Sequence, residues 1–242
     1  VRKKLFNSII GNTVAMYIFH GDNHIASRQA LREYIESSRE RFTRTATYLA
    51  TDLTLAQLES ALGEVSLFNE QVLTVVEELH SLPKSTHQTA LLNVLTKSQT
   101  IESIILWEKK LLTPNQLATF SQAKQKTFKS SKSLFQWLDA FSPATSIQTR
   151  VKLFNEAATQ DGTEYCFLML MRQIRLLLTI KGGGTIAGPP FVQAKIQKQS
   201  KMFSLQQLLN VHEKLTCIDV ESKTGGLQMA LKNRLDLLQI EL

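Results

Sequence analysis

The stretch Val72-Leu73-Thr74-Val75-Val76 decides the fold class. Its nearly unbroken apolar character, closed by Glu77-Glu78, predicts a strand buried on both faces. Such strands belong to parallel sheets, whose crossover helices cover both sides. Upstream, Thr54 is placed to cap a helix carrying Leu55, Leu58 and Leu62, which ends near Gly63. Between helix and strand lies Glu64-Val65-Ser66-Leu67-Phe68-Asn69-Glu70-Gln71. Connections are usually polar and lie on the surface. The bulky pair Leu67-Phe68 therefore has two readings: it folds back onto the core, or it is presented to a pocket on another molecule.

The same alternation continues on both sides. Downstream, Pro83 closes the segment, and Thr86 to Ser98 predicts a helix with Leu91, Leu92 and Leu95 inward. Ile104-Ile105-Leu106-Trp107 reads as another buried strand. Pro114 opens a short helix anchored by Leu117 and Phe120, and Lys126-Thr127-Phe128 is a weak final strand. Towards the N-terminus, Thr45 to Ala50 is rich in β-formers. The first strand, Tyr17-Ile18-Phe19, ends at His20-Gly21, where glycine supports a sharp turn. Asp22 or Asn23 caps the helix that follows, with Ile25, Ala26, Ala30, Leu31, Tyr34, Ile35 and Phe42 at helical spacing. Strands alternating with helices predict βαβ units and an α/β domain over residues 16–130.

From Ser131 onward the pattern is helical only. Lys129-Ser130-Ser131-Lys132-Ser133 reads as a polar linker. Helices are expected over Leu134 to Phe141, over Ser146 to Thr159 with Val151, Phe154 and Ala158, and over the very apolar Glu164 to Lys181. Gly182-Gly183-Gly184 and Gly188-Pro189-Pro190 separate these from Phe191 to Met202. Ser204-Leu205-Gln206-Gln207 is a capping box that opens a helix with Leu205, Leu208, Leu209 and Leu215. After Gly225-Gly226, Leu227, Leu231 and Leu238 are expected on one face of the last helix. Residues 131–242 therefore form a second, all-α domain.

The chain has 242 residues, 43% of them hydrophobic and 20% charged, a globular balance. No apolar run reaches the roughly 18–20 residues that span a bilayer, so no membrane partner is expected. Residues 1–15 resemble a weak signal peptide, but Asn7, Ser8 and Asn12 break their apolar run. They read as an untranslated or disordered extension, with Met16 as a start. Cys166 and Cys217 both fall in apolar helical patterns, which favours reduced, buried thiols in a cytoplasmic protein. The net charge of +7 is spread along the chain and is compatible with nucleic acid nearby.

A sharp turn after the first strand invites a nucleotide-binding reading. A phosphate-cradling loop needs G-x-x-x-x-G-K-[ST], whose glycines expose amides and whose Lys reaches the phosphates. Here the turn reads Gly21-Asp22-Asn23-His24-Ile25-Ala26-Ser27-Arg28. The second Gly, the Lys and the Ser/Thr are missing, and Asp22 would repel phosphate. Val75-Val76-Glu77-Glu78 does resemble the strand end that positions Mg²⁺ in ATPases; surface acids are the alternative. The triple glycine follows a helix and precedes no strand, so it is a flexible connection rather than a phosphate site. His20, His24, His80, His87 and His212 share no metal-ligand spacing, and no catalytic triad is legible. No cofactor, metal or catalytic residue is therefore expected. Arg172 and Arg175, three apart on an apolar helix, either snorkel or pair with acids, or contact DNA or a neighbouring subunit.

Four stretches together resemble the delta subunit of bacterial DNA polymerase III, a clamp-loader family. Met16-Tyr17-Ile18-Phe19-His20-Gly21-Asp22 is similar to that family's opening strand and degenerate phosphate loop. Ser66-Leu67-Phe68, before the strand and Glu77-Glu78-Leu79, resembles its clamp-binding element. Leu168-Met169-Leu170-Met171-Arg172-Gln173-Ile174-Arg175-Leu176-Leu177 resembles its collar helix. So does the segment from Pro190-Phe191-Val192 through Lys201-Met202-Phe203-Ser204 to Asp219-Val220-Glu221-Ser222-Lys223-Thr224-Gly225 resemble its last collar motif. The resemblance implies an AAA+-like (RecA-like) sheet domain with a degenerate phosphate loop, followed by a helical collar that assembles subunits. It implies a chain without catalysis of its own, within the DNA polymerase III holoenzyme. Its partners would be the beta sliding clamp, the gamma/tau and delta prime subunits, and primed DNA. Ser66, Leu67 and Phe68 would bind the clamp; Arg172, Arg175 and Lys223 would contact DNA or another subunit. The helical lid usual between sheet domain and collar is missing or reduced to the linker. The rival readings are a P-loop ATPase, and a helical scaffold or DNA-binding protein with no clamp partner.

Overall fold

The computed structural model describes residues 16–63, 71–98 and 102–242. The N-terminal fifteen residues and the Ser66-Leu67-Phe68 connection lie outside the described residues. The chain divides into two compact units at Lys129/Ser130.

The first unit is an α/β sandwich. Its elements are β1 (Tyr17–His20), α1 (His24–Ser37), β2 (Arg44–Leu49), α2 (Leu55–Gly63), β3 (Val72–Glu77), a 3₁₀ turn (Leu79–Ser81), α3 (Thr86–Lys97), β4 (Ile104–Glu108), α4 (Pro114–Ala118) and β5 (Lys124–Thr127). All five strands are parallel, in the order β2-β3-β4-β1-β5. This is the parallel sheet of an α/β domain expected from the strand–helix alternation. The chain steps from β1 outward to β2, then returns through β3 and β4 to β5. Right-handed crossovers therefore send α1 to one face and α2, α3 and α4 to the other. The two cores agree. Ile18, Val76, Ile104 and Leu106 meet Leu58, Leu91, Leu95 and Phe120, while Phe19, Leu73, Val75, Ile105 and Trp107 meet Ala30, Leu31 and Phe42. Successive residues of one strand serve opposite cores, which is why β3 and β4 read as continuous apolar runs. One expectation is corrected here: Phe42 is buried, but α1 stops at Ser37, so Phe42 reaches the core from the loop before β2.

The second unit contains α5 (Lys132–Ala140), α6 (Ile147–Asp161), α7 (Thr163–Lys181), α8 (Pro190–Ser200), α9 (Leu205–Thr224) and α10 (Leu231–Ile240). Its core is built on Trp137, Phe141, Phe154, Leu170, Ile174, Leu177, Leu208, Leu215 and Leu235. Residues 128–131 alone separate β5 from α5, so no helical lid intervenes. The expected polar linker is instead tied down. Ser131 caps α5 by accepting from the Leu134 amide, its own N–H donates to Asp161 Oδ1 at 3.0 Å, and Ser130 Oγ lies 2.8 Å from the Tyr165 hydroxyl.

Three helix faces differ from the sequence reading. α6 turns Arg150, Phe154, Ala157 and Asp161 inward, displacing Val151 and Ala158 to half-buried positions. Leu205 and Leu209 of α9 are exposed, and Leu208, Val211, Leu215 and Ile218 are buried instead. Leu227 precedes α10, whose buried residues are Leu235, Leu238 and Gln239. Each shift places a polar side chain, or a residue one step along the helix, where an all-apolar stripe was expected. Cys217 is also exposed, while Cys166 is buried. No helix among the described residues is long and apolar enough to cross a membrane.

Candidate functional site at the rim of the sheet

Open parallel sheets place their ligand sites beyond the C-terminal ends of the strands, where neighbouring strands send their connections to opposite faces. That position here lies between β1, which leads into α1, and β4, which leads into α4. The register sets His20 of β1 beside Glu108 of β4 on one side and Thr127 of β5 on the other. His20 Nδ1 accepts the Leu112 N–H at 3.2 Å, which leaves the proton on Nε2, 3.0 Å from Thr127 Oγ1. Glu108 Oε1 accepts both from the His80 amide at 2.9 Å and from His80 Nδ1 at 2.7 Å. Glu108 is fully buried and His20 nearly so. Burial holds the His20 pKa below the usual histidine value, against the opposing pull of Glu108 and with help from His80.

The turn that would cradle a phosphate is filled by the chain itself. Only Gly21-Asp22-Asn23 separates β1 from α1. Gly21 sits at φ +146°, and a Cβ there would lie 2.0 Å from the Phe128 carbonyl oxygen, so the site demands glycine. The Asn23 N–H donates to that same carbonyl at 3.0 Å, and Asn23 Oδ1 accepts from the Ala26 N–H at 3.1 Å. These are helix N-terminal amides of the kind that hold phosphate in nucleotide-binding loops. Here Phe128 and the Asn23 cap already engage them.

Counting from Gly21, the second Gly, the Lys and the Ser/Thr of a phosphate loop fall on Ala26, Ser27 and Arg28. Arg28 is the residue that the sequence reading missed. Its Nη1 and Nη2 donate to the two carboxylate oxygens of Glu77 in a bidentate pair. Its guanidinium carbon lies 3.6 Å from the centre of the Trp107 ring. Glu77 and Trp107 are register partners on β3 and β4, so sheet pairing builds the platform and α1 supplies the cation. The acid singled out as a possible Mg²⁺ ligand is thus neutralised by an internal arginine. Glu78, its sequence neighbour, is turned off the strand in the left-handed region at φ 59°. The signal that could have found this pair was a basic residue at the last position of the degenerate loop and an acid at a strand end.

The remaining sequence candidates are scattered. Arg172 and Arg175 are exposed on α7, and Lys223 sits in the last turn of α9, 2.6 Å from Asp219. Among the described residues, no group of three His, Cys, Asp or Glu could hold a metal ion.

No protein-family model matches the chain, and no curated protein matches it. Among solved structures, it is similar to the Bacillus subtilis DNA clamp loader delta protein, at 13% identity and TM-score 0.46, over 99% of this chain and 97% of that one. It is also similar to domain III of the Thermotoga maritima replication initiation protein DnaA, at 12% identity and TM-score 0.35, over 99% and 89%. A third likeness is to Drosophila ORC bound to DNA and Cdc6, at 9% identity and TM-score 0.32, over 98% and 68%.

Proposed function

We propose that this chain is a clamp-loader subunit of the delta type, one that binds and opens a sliding clamp without turning over nucleotide. The observation that carries the reading is the self-filled rim. The strand order is AAA+-like, yet Phe128 and Asn23 engage the turn amides, and Arg28 neutralises Glu77. A sheet that keeps this architecture while occupying its own nucleotide position suits a subunit that works by binding. The resemblance of Ser66-Leu67-Phe68 to the family's clamp-binding element supplies the contact. Leu67 and Phe68 would each contribute about 1.5–3 kcal/mol if buried in a clamp pocket. They would favour the open ring only if the pocket or its surroundings differ between the open and closed states. In this proposal residues 16–130 bind the clamp and residues 131–242 join the other loader subunits. Arg172, Arg175 and Lys223 are proposed contacts to DNA or those subunits.

The test is an equilibrium binding measurement against the beta sliding clamp, with an ATPase assay on the same preparation. The expected result is clamp binding that depends on Leu67 and Phe68, with no turnover above background. A chain that ignores the clamp leaves the helical-scaffold reading standing. Turnover that disappears with Glu77→Gln would return the chain to the P-loop ATPases.

A further inference from the structure

The loop between β4 and α4, Lys109 to Thr113, lies at the C-terminal rim of the sheet. Lys109, Lys110 and Leu111 are exposed, and Leu112 is buried. Thr113 caps α4, so the loop is fixed at its far end by a capping box. At its centre, the Leu112 N–H donates to His20 Nδ1 at 3.2 Å. The acceptor is an imidazole nitrogen with a full lone pair, available only in the neutral ring. From the geometry we infer that His20 is a pH-operated latch, which holds the Lys109–Thr113 loop against the sheet when neutral and releases it when protonated.

The latch works through donors and acceptors. Imidazolium donates from both nitrogens and accepts at neither. Protonation at Nδ1 therefore sets two donors, the ring N–H and the Leu112 N–H, against each other at a buried position. A buried amide left without an acceptor is costly, so the loop must move to find water. The other nitrogen offers no escape, because Nε2 already faces Thr127 Oγ1 at 3.0 Å. The groups acting on His20 are placed by every neighbouring element. Glu108 of β4 favours the charged ring, His80 of the 3₁₀ turn opposes it, and β5 presents the uncharged Thr127. Burial is the largest influence and keeps the ring neutral, so the latch is closed at neutral pH and opens only below the ordinary histidine midpoint of 6.5. This device is independent of the clamp-loader reading.

The experiment is hydrogen exchange at the Leu112 amide of the full chain between pH 7.5 and 5, corrected for the intrinsic pH dependence of exchange. Two variants separate the ring nitrogens. In His20→Asn the amide oxygen stands where Nδ1 stood, so the acceptor remains and cannot titrate. In His20→Gln the side-chain amide reaches instead the position of Nε2, and the Leu112 acceptor is lost. The parent protein should lose protection at Leu112 by about tenfold per pH unit once His20 begins to titrate, as one coupled proton requires. His20→Asn should show protection that does not vary with pH, and His20→Gln should be weakly protected throughout. Protection in the parent that stays flat down to pH 5 overturns the proposal without reference to either variant. So does a His20→Asn protein with the parent's slope, which would show that His20 is not the titrating group.

Discussion

The two units use buried polar side chains in different ways. In the α/β unit the buried polar residues Glu77, His80, Glu108 and His20 converge on one rim and bond to other side chains: Glu77 to the partly exposed Arg28, His80 to Glu108, and His20 to the exposed Thr127. In the helical unit they are dispersed, and Arg150 and Gln199 satisfy backbone carbonyls. Arg150 donates to the carbonyls of Ser142 and Thr145, at 2.7 and 2.6 Å, and of Gln239 at 2.6 Å. Gln199 donates to the carbonyls of Leu138 and Phe141, which closes the C-terminal end of α5. Gln239 accepts from the Trp137 indole at 3.2 Å. Helices leave unpaired carbonyls at their ends, and a helical bundle brings those ends inside. A parallel sheet pairs its own backbone and leaves its polar demand at one edge. The first kind of polar group is architecture. The second occupies the place where chemistry would otherwise be done.

The largest effect should fall on neither set. Leu67→Ala with Phe68→Ala is expected to weaken clamp binding roughly a thousandfold or more, since two apolar anchors contribute at least about 2 kcal/mol each. The melting temperature should stay within a few degrees of the parent. Glu77→Gln should leave clamp affinity unchanged within about twofold. A double variant that melts far earlier would mean the pair is core. A rim variant that abolishes binding would move the function to the rim.

Arg150→Met breaks the helical side of the comparison. It removes the guanidinium from three carbonyls, of which Ser142's keeps the Thr145 N–H, at about 1–3 kcal/mol for each group left buried without a donor. A loss of about 3 kcal/mol is expected in the helical unit alone. The two tryptophans fall one in each unit, Trp107 and Trp137. Urea unfolding followed by Trp137 fluorescence in a Trp107→Phe background reports that unit by itself. An unchanged midpoint would show that water replaces the guanidinium at little cost.

A pH series sharpens the α/β side. The folded His20 pKa lies below its unfolded value, so the unfolded chain binds the proton more readily. The corresponding stability is full above pH 6.5 and is lost as pH falls from there towards the folded pKa. The midpoint of the Trp107 transition should therefore decline over that window, and His20→Asn should decline less. An equal decline in both would assign the loss elsewhere.

Much of the sheet was legible from sequence because period and polarity agree there. Residues 104–107 alternate between two cores, and Leu73, Val75 and Val76 divide between the same two; both cores are apolar, so a nearly continuous apolar run is informative. The helical faces were less legible because an apolar stripe was assumed to mark the inside. Arg150, Gln199 and Gln239 are buried, while Phe191 and Leu205 are exposed. Sequence periodicity cannot foresee a guanidinium that goes inward to meet helix-end carbonyls brought close by folding. At the rim, the missing phosphate-loop residues were readable, but the Arg28–Glu77 pair depends on a contact between residues 49 positions apart. That contact exists only once β3 lies in the sheet interior.

The smallest expected effect concerns that same pair, and it bears most directly on how the rim is used. Arg28 is about 39% exposed at its side chain and Glu77 about 12%. A bidentate charged hydrogen bond contributes about 1.5–3 kcal/mol in a protected setting, and an exposed ion pair about 1 kcal/mol or less. With one partner half in water, a double-mutant cycle of Arg28→Ala and Glu77→Ala should give a coupling of about 1 kcal/mol. Arg28→Ala should also not create an ATPase, because the turn amides remain engaged by Phe128 and Asn23, and no lysine is supplied. The pair is then a modest tie between α1 and β3 that replaces a ligand. If Arg28→Ala alone conferred ATP turnover, the arginine would be an inhibitor of a working site and the rim would hold latent chemistry. If the coupling were near zero, solvent would be doing the neutralising, and the pair would be a feature of geometry without energetic weight.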